Sequence, residues 1–312
     1  PLTPEERQVV RTLRRHVERL AGEIGERHVW RPDALEAAEM YIVSVLEELG
    51  YAVRRRPYTV RGTEGANLEV EVTGTARPEE IVVVGAHYDT VPGSPGADDN
   101  ASGVAALLEI ARLLRGMKLE RTLRLVGFVN EEAPFFTTEE MGSRRYAAEA
   151  AAAGENVVAM FSLESLGYYS DESGSQRYPA GLGLFYPDRA DFLGFVGNLA
   201  SRDLLHRSIE AFRRHAAFPS EGIAAPEGLV GVSWSDHSSF WRQGYPAIMV
   251  TGTALFRNPD YHTAGDVPER LDYERMARVV AGLAVVFAAE AGLSGSTDLS
   301  RERNRPDAPE TP

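Results

Sequence analysis

Apolar positions in this chain follow two rhythms that take turns. Val9, Val10, Leu13, Val17, Leu20 and Ile24 recur at the three-to-four-residue spacing of a helix with one buried face. Thr3-Pro4-Glu5-Glu6 ahead of them reads as its start: a capping hydroxyl, a proline in the first turn, and acids near the positive end. A second helix fits residues 32–49, closed by Gly50. Residues 51–60 and 67–72 switch to strand-like alternation and are joined through Arg61-Gly62-Thr63-Glu64-Gly65, which predicts a hairpin. Ile81-Val82-Val83-Val84-Gly85-Ala86 is a continuous, mostly β-branched run, as expected of a strand buried on both faces. A helix over about 101–114, a strand over 123–129, a helix near 139–153 and a strand over 157–163 follow.

Residues 165–235 interrupt the alternation. Two helices are expected there, over about 190–201 and 203–217, and then a Pro/Gly-punctuated loop over 218–231. A strand at 247–250 and a helix at 273–291 resume the pattern. From Gly292 the chain is rich in Ser, Arg, Asp and Pro and is expected to be disordered. Residues 1–291 then form one domain, with 165–235 as an insertion. Alternating strands and helices predict an α/β fold, a three-layer α/β/α sandwich whose central sheet is mostly parallel, with antiparallel strands at its edge. In such sheets ligands gather beyond the carboxyl ends of the strands.

Composition narrows the chemistry. A net charge of −13, from 33 basic and 46 acidic residues, argues against nucleic acid and weakly favours cationic substrates. With no cysteine, disulfides and thiolate metal sites are excluded, so any metal must be held by His, Asp and Glu. No apolar run approaches the roughly 18 residues that would suggest a membrane span. The N-terminus lacks the basic and apolar segments of a signal peptide; a processed signal would leave the same trace, so the compartment stays open between cytoplasmic and secreted.

Ionisable residues cluster where the strands end. His87 follows the 81–86 strand, with Asp89 two positions on and Asp98-Asp99-Asn100 opening the next helix. Glu131 and Glu132 follow the 123–129 strand, Glu164 ends the 157–163 strand, and Asp260-Tyr261-His262 lies beyond 247–250. Each piece alone has a plainer reading. His-x-Asp alone is a surface pair, and two aspartates before a helix are a turn and cap. Four strand ends delivering metal-competent side chains to one sheet edge outweigh those readings. His87, Asp98, Glu132, Glu164 and His262 make five ligands without sulfur. With Asp98 bridging, each of two metals receives one histidine and one terminal carboxylate, a set that suits zinc. Asp89, on the strand face of His87, is placed to accept from its other ring nitrogen. Glu131 is left free as a general base, as two-metal hydrolysis requires.

His-Tyr-Asp-Thr at 87–90, Pro-Gly-Ala-Asp-Asp-Asn-Ala-Ser-Gly at 95–103, Asn-Glu-Glu at 130–132, Ser-Leu-Glu at 162–164, Ser-Asp-His-Ser-Ser-Phe at 235–240 and Tyr-His-Thr at 261–263, in this order, resemble the co-catalytic di-zinc aminopeptidase family. Its relatives include glutamate carboxypeptidase, the transferrin receptor ectodomain and glutaminyl cyclase. The resemblance covers about residues 33–290. It implies a zinc-peptidase fold and two Zn2+ ions, one on His87, Asp98 and Glu164 and the other on Asp98, Glu132 and His262. It also implies Glu131 as base, Asp89 as the partner of His87, Tyr261 as oxyanion donor, and a cis peptide between Asp98 and Asp99. The implied substrate is a peptide with a free N-terminus. Glu164 stands where several family members carry Asp, and the 165–235 insertion resembles a bacterial subgroup.

The amino-terminal pocket is expected to draw on Tyr168, Tyr169, Phe185 and Tyr186, with Asp236-His237 supporting its floor through hydrogen bonds. His16, His28, His206 and His215 read as surface residues. Three rival functions are separable by assay: a single-zinc glutaminyl cyclotransferase by metal count, a carboxypeptidase by its need for a free C-terminus, and a non-catalytic binding module by lost ligands.

Overall fold

A computed structural model describes residues 2–179 and 181–293, so the expected disordered tail lies, from residue 294, outside the described residues. Strands β1 (Arg54–Val60), β2 (Thr63–Val72), β3 (Arg77–His87), β4 (Arg121–Phe128), β5 (Asn156–Glu164), β6 (Leu193–Gly197), β7 (Ser220–Ala224) and β8 (Ala247–Thr251) form one sheet in the order β1-β2-β4-β3-β5-β8-β6-β7. Its centre, β4-β3-β5-β8, is parallel. At one edge β1 and β2 run antiparallel; at the other β6 opposes β8, and β7 runs parallel to β6.

Both faces are covered, which is why residues 81–86 of β3 are apolar throughout. Val82, Val84 and Ala86 pack with Leu13 of α1 (Pro4–Val17), Leu108 of α3 (Gly103–Leu114), Phe212 of α5 (Arg202–His215) and Leu283 of α7 (Tyr273–Glu290). Ile81 and Val83 face the other way, toward Tyr146 of α4 (Gly142–Ala152) and Phe240 of α6 (His237–Trp241). Helix α2 (Pro32–Glu48) packs on β2. Each fully buried aliphatic or aromatic side chain here contributes roughly 1.5–3 kcal/mol. The start of α1 carries a full capping box: Glu6 N–H donates to Thr3 Oγ1 at 3.1 Å, and Thr3 N–H donates to Glu6 Oε2 at 2.7 Å. Among the described residues no helix is long and apolar enough to cross a membrane.

Several expectations are corrected. The segment 190–201 holds strand β6 in place of a helix, because Gly194 and Gly197 let it lie closely antiparallel to β8; a Cβ at Gly197 would meet Ile248 at 3.1 Å. The 218–231 loop contains strand β7, paired to β6. The hairpin turn is two residues long: Val60 pairs with Thr63, and Arg61 (φ 53°) and Gly62 (φ 84°) take the left-handed backbone of a tight primed turn. The expected helix near 139–153 begins only at Gly142. His16 and His28 are buried, whereas His206 and His215 are exposed. Nδ1 of His16 lies 2.7 Å from Tyr41 Oη, and burial lowers its pKa to about 3, so it is a neutral core residue.

Candidate metal centre

The carboxyl ends of β3, β4, β5 and β8 converge on one acidic cavity. His87 is the last residue of β3 and Glu164 the last of β5. Glu131 and Glu132 follow β4 through Asn130 (φ 58°), and His262 (φ 59°) stands in the loop after β8. Ser165 (φ 51°), after Glu164, is also left-handed. Such backbone in non-glycine residues costs on the order of 1–2 kcal/mol and persists where the surroundings dictate it.

Asp99 lies between the two histidines and faces one oxygen to each. His87 Nε2 is 3.3 Å from Asp99 Oδ1, 3.4 Å from Glu164 Oε2 and 3.9 Å from Glu131 Oε2. His262 Nε2 is 3.0 Å from Asp99 Oδ2 and 3.3 Å from Glu132 Oε2. Ligand-type atoms of His87, Glu131 and Glu164 lie within 4.8 Å of one another, as do those of His87, Asp99 and Glu132. The structure thus brings together five of the residues singled out above: His87, Glu131, Glu132, Glu164 and His262.

Asp98 does not join them, and the bridging position expected of it falls to its neighbour. The Asp98 carboxylate accepts from Gly167 N–H (2.8 Å), Tyr168 N–H (3.1 Å) and Asn258 Nδ2 (3.1 Å), tying the turn to the chain beyond β5 and to the His262 loop. The cis peptide is likewise Asp99–Asn100, one bond later than expected. Asp266, which sequence reasoning missed, orients the pair: its Oδ1 accepts Asp98 N–H at 2.9 Å and its Oδ2 accepts Asp99 N–H at 3.1 Å. Its only signal was an acid four residues after His262. Asn100 completes the brace, accepting from the N–H groups of Gly103 and Ser165 and donating to Leu163 O. Gly103 must lack a side chain, since a Cβ would come within 2.3 Å of Asn100 Oδ1.

Asp89 also departs from its expected part. His87 Nδ1 is 3.2 Å from the Asp89 main-chain carbonyl and 3.6 Å from the nearer carboxylate oxygen. The carboxylate instead accepts Glu131 N–H (3.0 Å) and Glu132 N–H (3.1 Å), so it positions both glutamates through their backbone. Glu164 accepts from Ser165 Oγ and Ser235 Oγ at 3.0 and 2.8 Å.

Arg27 gave no sequence signal, yet it is fully buried behind the site. It donates to the carbonyls of Tyr88 (2.6 Å), Pro95 (2.6 Å) and Gly96 (2.9 Å), clamping the strand end to the Asp98-Asp99 turn. Arg27→Met is expected to lower stability by on the order of 3–5 kcal/mol, because it strands buried carbonyls and removes a cation from among carboxylates. Chemical denaturation of the metal-free protein reads this directly, and an unmoved midpoint would refute the clamp.

Burial works against charge throughout the cavity. It raises Glu131 well above the usual carboxylate range and, together with the Asp99 charge, raises Glu132 to about 7. Glu164 is raised by the same two causes. Burial would raise Asp99 too, but hydrogen bonds from His262 and His87 outweigh it and hold this carboxyl far below its neighbours. The histidines show the converse. Burial lowers His87, but Glu131 and Glu164 prevail and lift it; His262 rises to about 10 against burial through its bonds to Asp99 and Glu132. Four carboxylates out of water demand more positive charge than two imidazoles supply, and Glu132 Oε1 is buried with no hydrogen-bond partner. Oxygen and imidazole donors without sulfur fit divalent zinc.

Beside the centre lies a half-open cleft that Glu164 and Tyr261 help to line. Of the four aromatics expected to line it, only Tyr186 does, together with Tyr261. Tyr169 is buried beneath Arg257, Tyr168 is half-buried outside the cleft, and Phe185 is 81% exposed. Tyr261 stacks on His262 with ring centroids 3.8 Å apart. His237 Nε2 is 2.7 Å from Val232 O beneath the cleft, and burial lowers its pKa to about 4. Burial raises the neighbouring Asp236 carboxyl to about 7.

Residues 67–287 match the profile of peptidase family M28. The chain is 36% identical over 260 residues to the uncharacterized protein YfbL of Escherichia coli, covering 80% of this chain and 79% of that one. It is 28% identical over 244 residues to a probable leucine aminopeptidase of Trichophyton verrucosum, covering 74% of this chain but only 58% of that relative's length. In fold it is similar to BSAP, a zinc aminopeptidase from Bacillus subtilis, with a TM-score of 0.71 at 16% identity, over 93% of this chain and 97% of that one.

Proposed function

The chain belongs to peptidase family M28, and from that premise we propose that it is a zinc-dependent aminopeptidase, residues 1–291 forming one catalytic domain that hydrolyses the bond after a free N-terminal residue. The observation that carries this reading is the division of Asp99, one oxygen toward His87 and the other toward His262, each histidine with its own terminal carboxylate. The names of the leucine aminopeptidase and zinc aminopeptidase relatives support it.

His87, Asp99 and Glu164 would hold one zinc ion and His262, Asp99 and Glu132 the other, where the pair would supply Lewis acidity. Glu131 is the proton carrier: it takes the proton of the attacking water and returns it to the leaving amine. Its high proton affinity, set by burial, suits that task. Tyr261 keeps its hydroxyl proton, because burial and then the charges of Asp99 and Glu132 push its pKa up, and it donates to the oxyanion. Asp89 fixes the backbone from which Glu131 reaches the substrate.

Metal analysis alongside hydrolysis of aminoacyl-nitroanilides tests the proposal. Two zinc ions per chain, cleavage of free but not N-acetylated substrates, and loss of activity on chelation with recovery on zinc addition are expected. A single zinc with conversion of N-terminal glutamine to pyroglutamate would instead make it a cyclotransferase.

A further inference from the structure

We propose that the cleft beside the metal centre receives a basic N-terminal side chain, lysine or arginine, and that Glu221 recognises its charge; this rests on the aminopeptidase reading above. The sheet itself lays out the path. Strand register aligns Glu164 of β5 with Thr251 of β8, Thr251 with Gly194 of β6, and Gly194 with Glu221 of β7. Paired residues share a sheet face, and all four line the cleft. Three strand spacings of about 4.8 Å separate the ends of this row by about 14 Å. A metal-site carboxylate therefore stands at one end of the floor and a second carboxylate at the other.

The floor between them is apolar and open. Gly194 contributes no side chain at the middle of the row, where even a Cβ would lie 3.2 Å from Thr251 O. The next row on the same face supplies Met249, Val196 and Ile223. Glu221 is half-buried, and among the described residues no hydrogen bond or ion pair engages it. Tyr178 and Tyr186 stack beside the passage, centroids 5.7 Å apart and 28° between planes. Both hydroxyls donate to main-chain carbonyls, Tyr178 to Pro187 O at 2.6 Å and Tyr186 to Gly222 O at 3.0 Å, so neither is spent on the carboxylate. Burial, and after it the negative charge of Glu221, raises the Tyr186 phenol, which places the two groups in each other's field.

An unpaired carboxylate with two aromatic faces at the end of an apolar passage suits a methylene stem carrying a cation. A leucine side chain would fill the passage yet leave Glu221 desolvated without a partner, which is unfavourable. The cations nearby do not occupy that role. Arg177 lies exposed on the rim, and buried Arg257 sits over the rings of Tyr169 and Phe192 within the field of Asp98.

The test compares kcat/KM of the zinc-loaded enzyme for Lys-, Arg-, Leu- and Glu-nitroanilide. Lys and Arg are expected to exceed Leu by tenfold or more, and Glu221→Gln to cut the Lys/Leu ratio at least tenfold, chiefly through KM. Calorimetric titration with lysinamide and norleucinamide, which share the stem but not the charge, is expected to show tenfold tighter binding of lysinamide to the native enzyme and parity in the variant. Leu equal to or better than Lys, or a ratio unmoved by the substitution, overturns the inference. So does a preference for Glu, which would assign the cleft to Arg257. If none of the four substrates is cleaved, the aminopeptidase reading falls instead; the native enzyme's discrimination between the two amides then decides the subsite, and parity between them sinks it.

Discussion

Glu131→Gln is expected to leave two zinc ions bound per chain and to lower kcat by a hundred- to ten-thousandfold, the range that a positioned general base contributes. The amide keeps the size of the carboxylate and its reach but cannot take a proton. Three features support the proposed role of Glu131 as the base. It is fully buried, its backbone N–H is held by Asp89 at 3.0 Å, and its oxygen lies 3.9 Å from the His87 nitrogen, at the margin of the cluster. If it were instead a ligand, the substitution would reduce metal content. Zinc analysis of the purified variant alongside its turnover separates the two roles, and a variant with normal zinc and normal turnover would remove Glu131 from the chemistry.

The neighbouring aspartates should behave as opposites. Asp99→Asn is expected to lose most bound zinc from both positions and nearly all activity, because one oxygen faces each histidine and the amide offers a poor ligand in place of one of them. Asp98→Asn should retain zinc. Its cost falls on stability, about 1–3 kcal/mol, since two backbone N–H groups and Asn258 lose a charged acceptor. Metal content and denaturation midpoints of the two variants give a clean crossover. Zinc loss in Asp98→Asn with zinc retained in Asp99→Asn would restore the assignment expected from sequence.

The two aspartates are indistinguishable along the linear chain. Two adjacent aspartates in Ala-Asp-Asp-Asn carry the same chemistry, and no spacing rule tells which faces the histidines. The choice is made by Asp266, 167 residues from Asp99, which grips both backbone N–H groups, and by the Gly167, Tyr168 and Asn258 donors that claim Asp98. The role of Arg27 is invisible in the linear chain for a related reason. A single arginine after a helix looks like a surface residue until the turn at Pro95 and Gly96 folds over it. Strand β6 was hidden because Leu193, Val196 and Leu199 mimic helical spacing, and only the antiparallel partner β8 makes its glycines useful.

What the linear order of residues determined was the architecture and the inventory. Continuous apolar runs between amphipathic segments required a sheet covered on both faces, and that sheet carried His87, Glu131, Glu132 and Glu164 to a common edge, where the loop after β8 adds His262. Only the tertiary structure decided which of two equivalent carboxylates lies between the histidines, what Asp89 holds, and that Glu164 and Glu221 end the same row of the sheet. Those outcomes depend on hydrogen bonds and strand register between segments distant in the chain, and such pairings leave no local pattern to read.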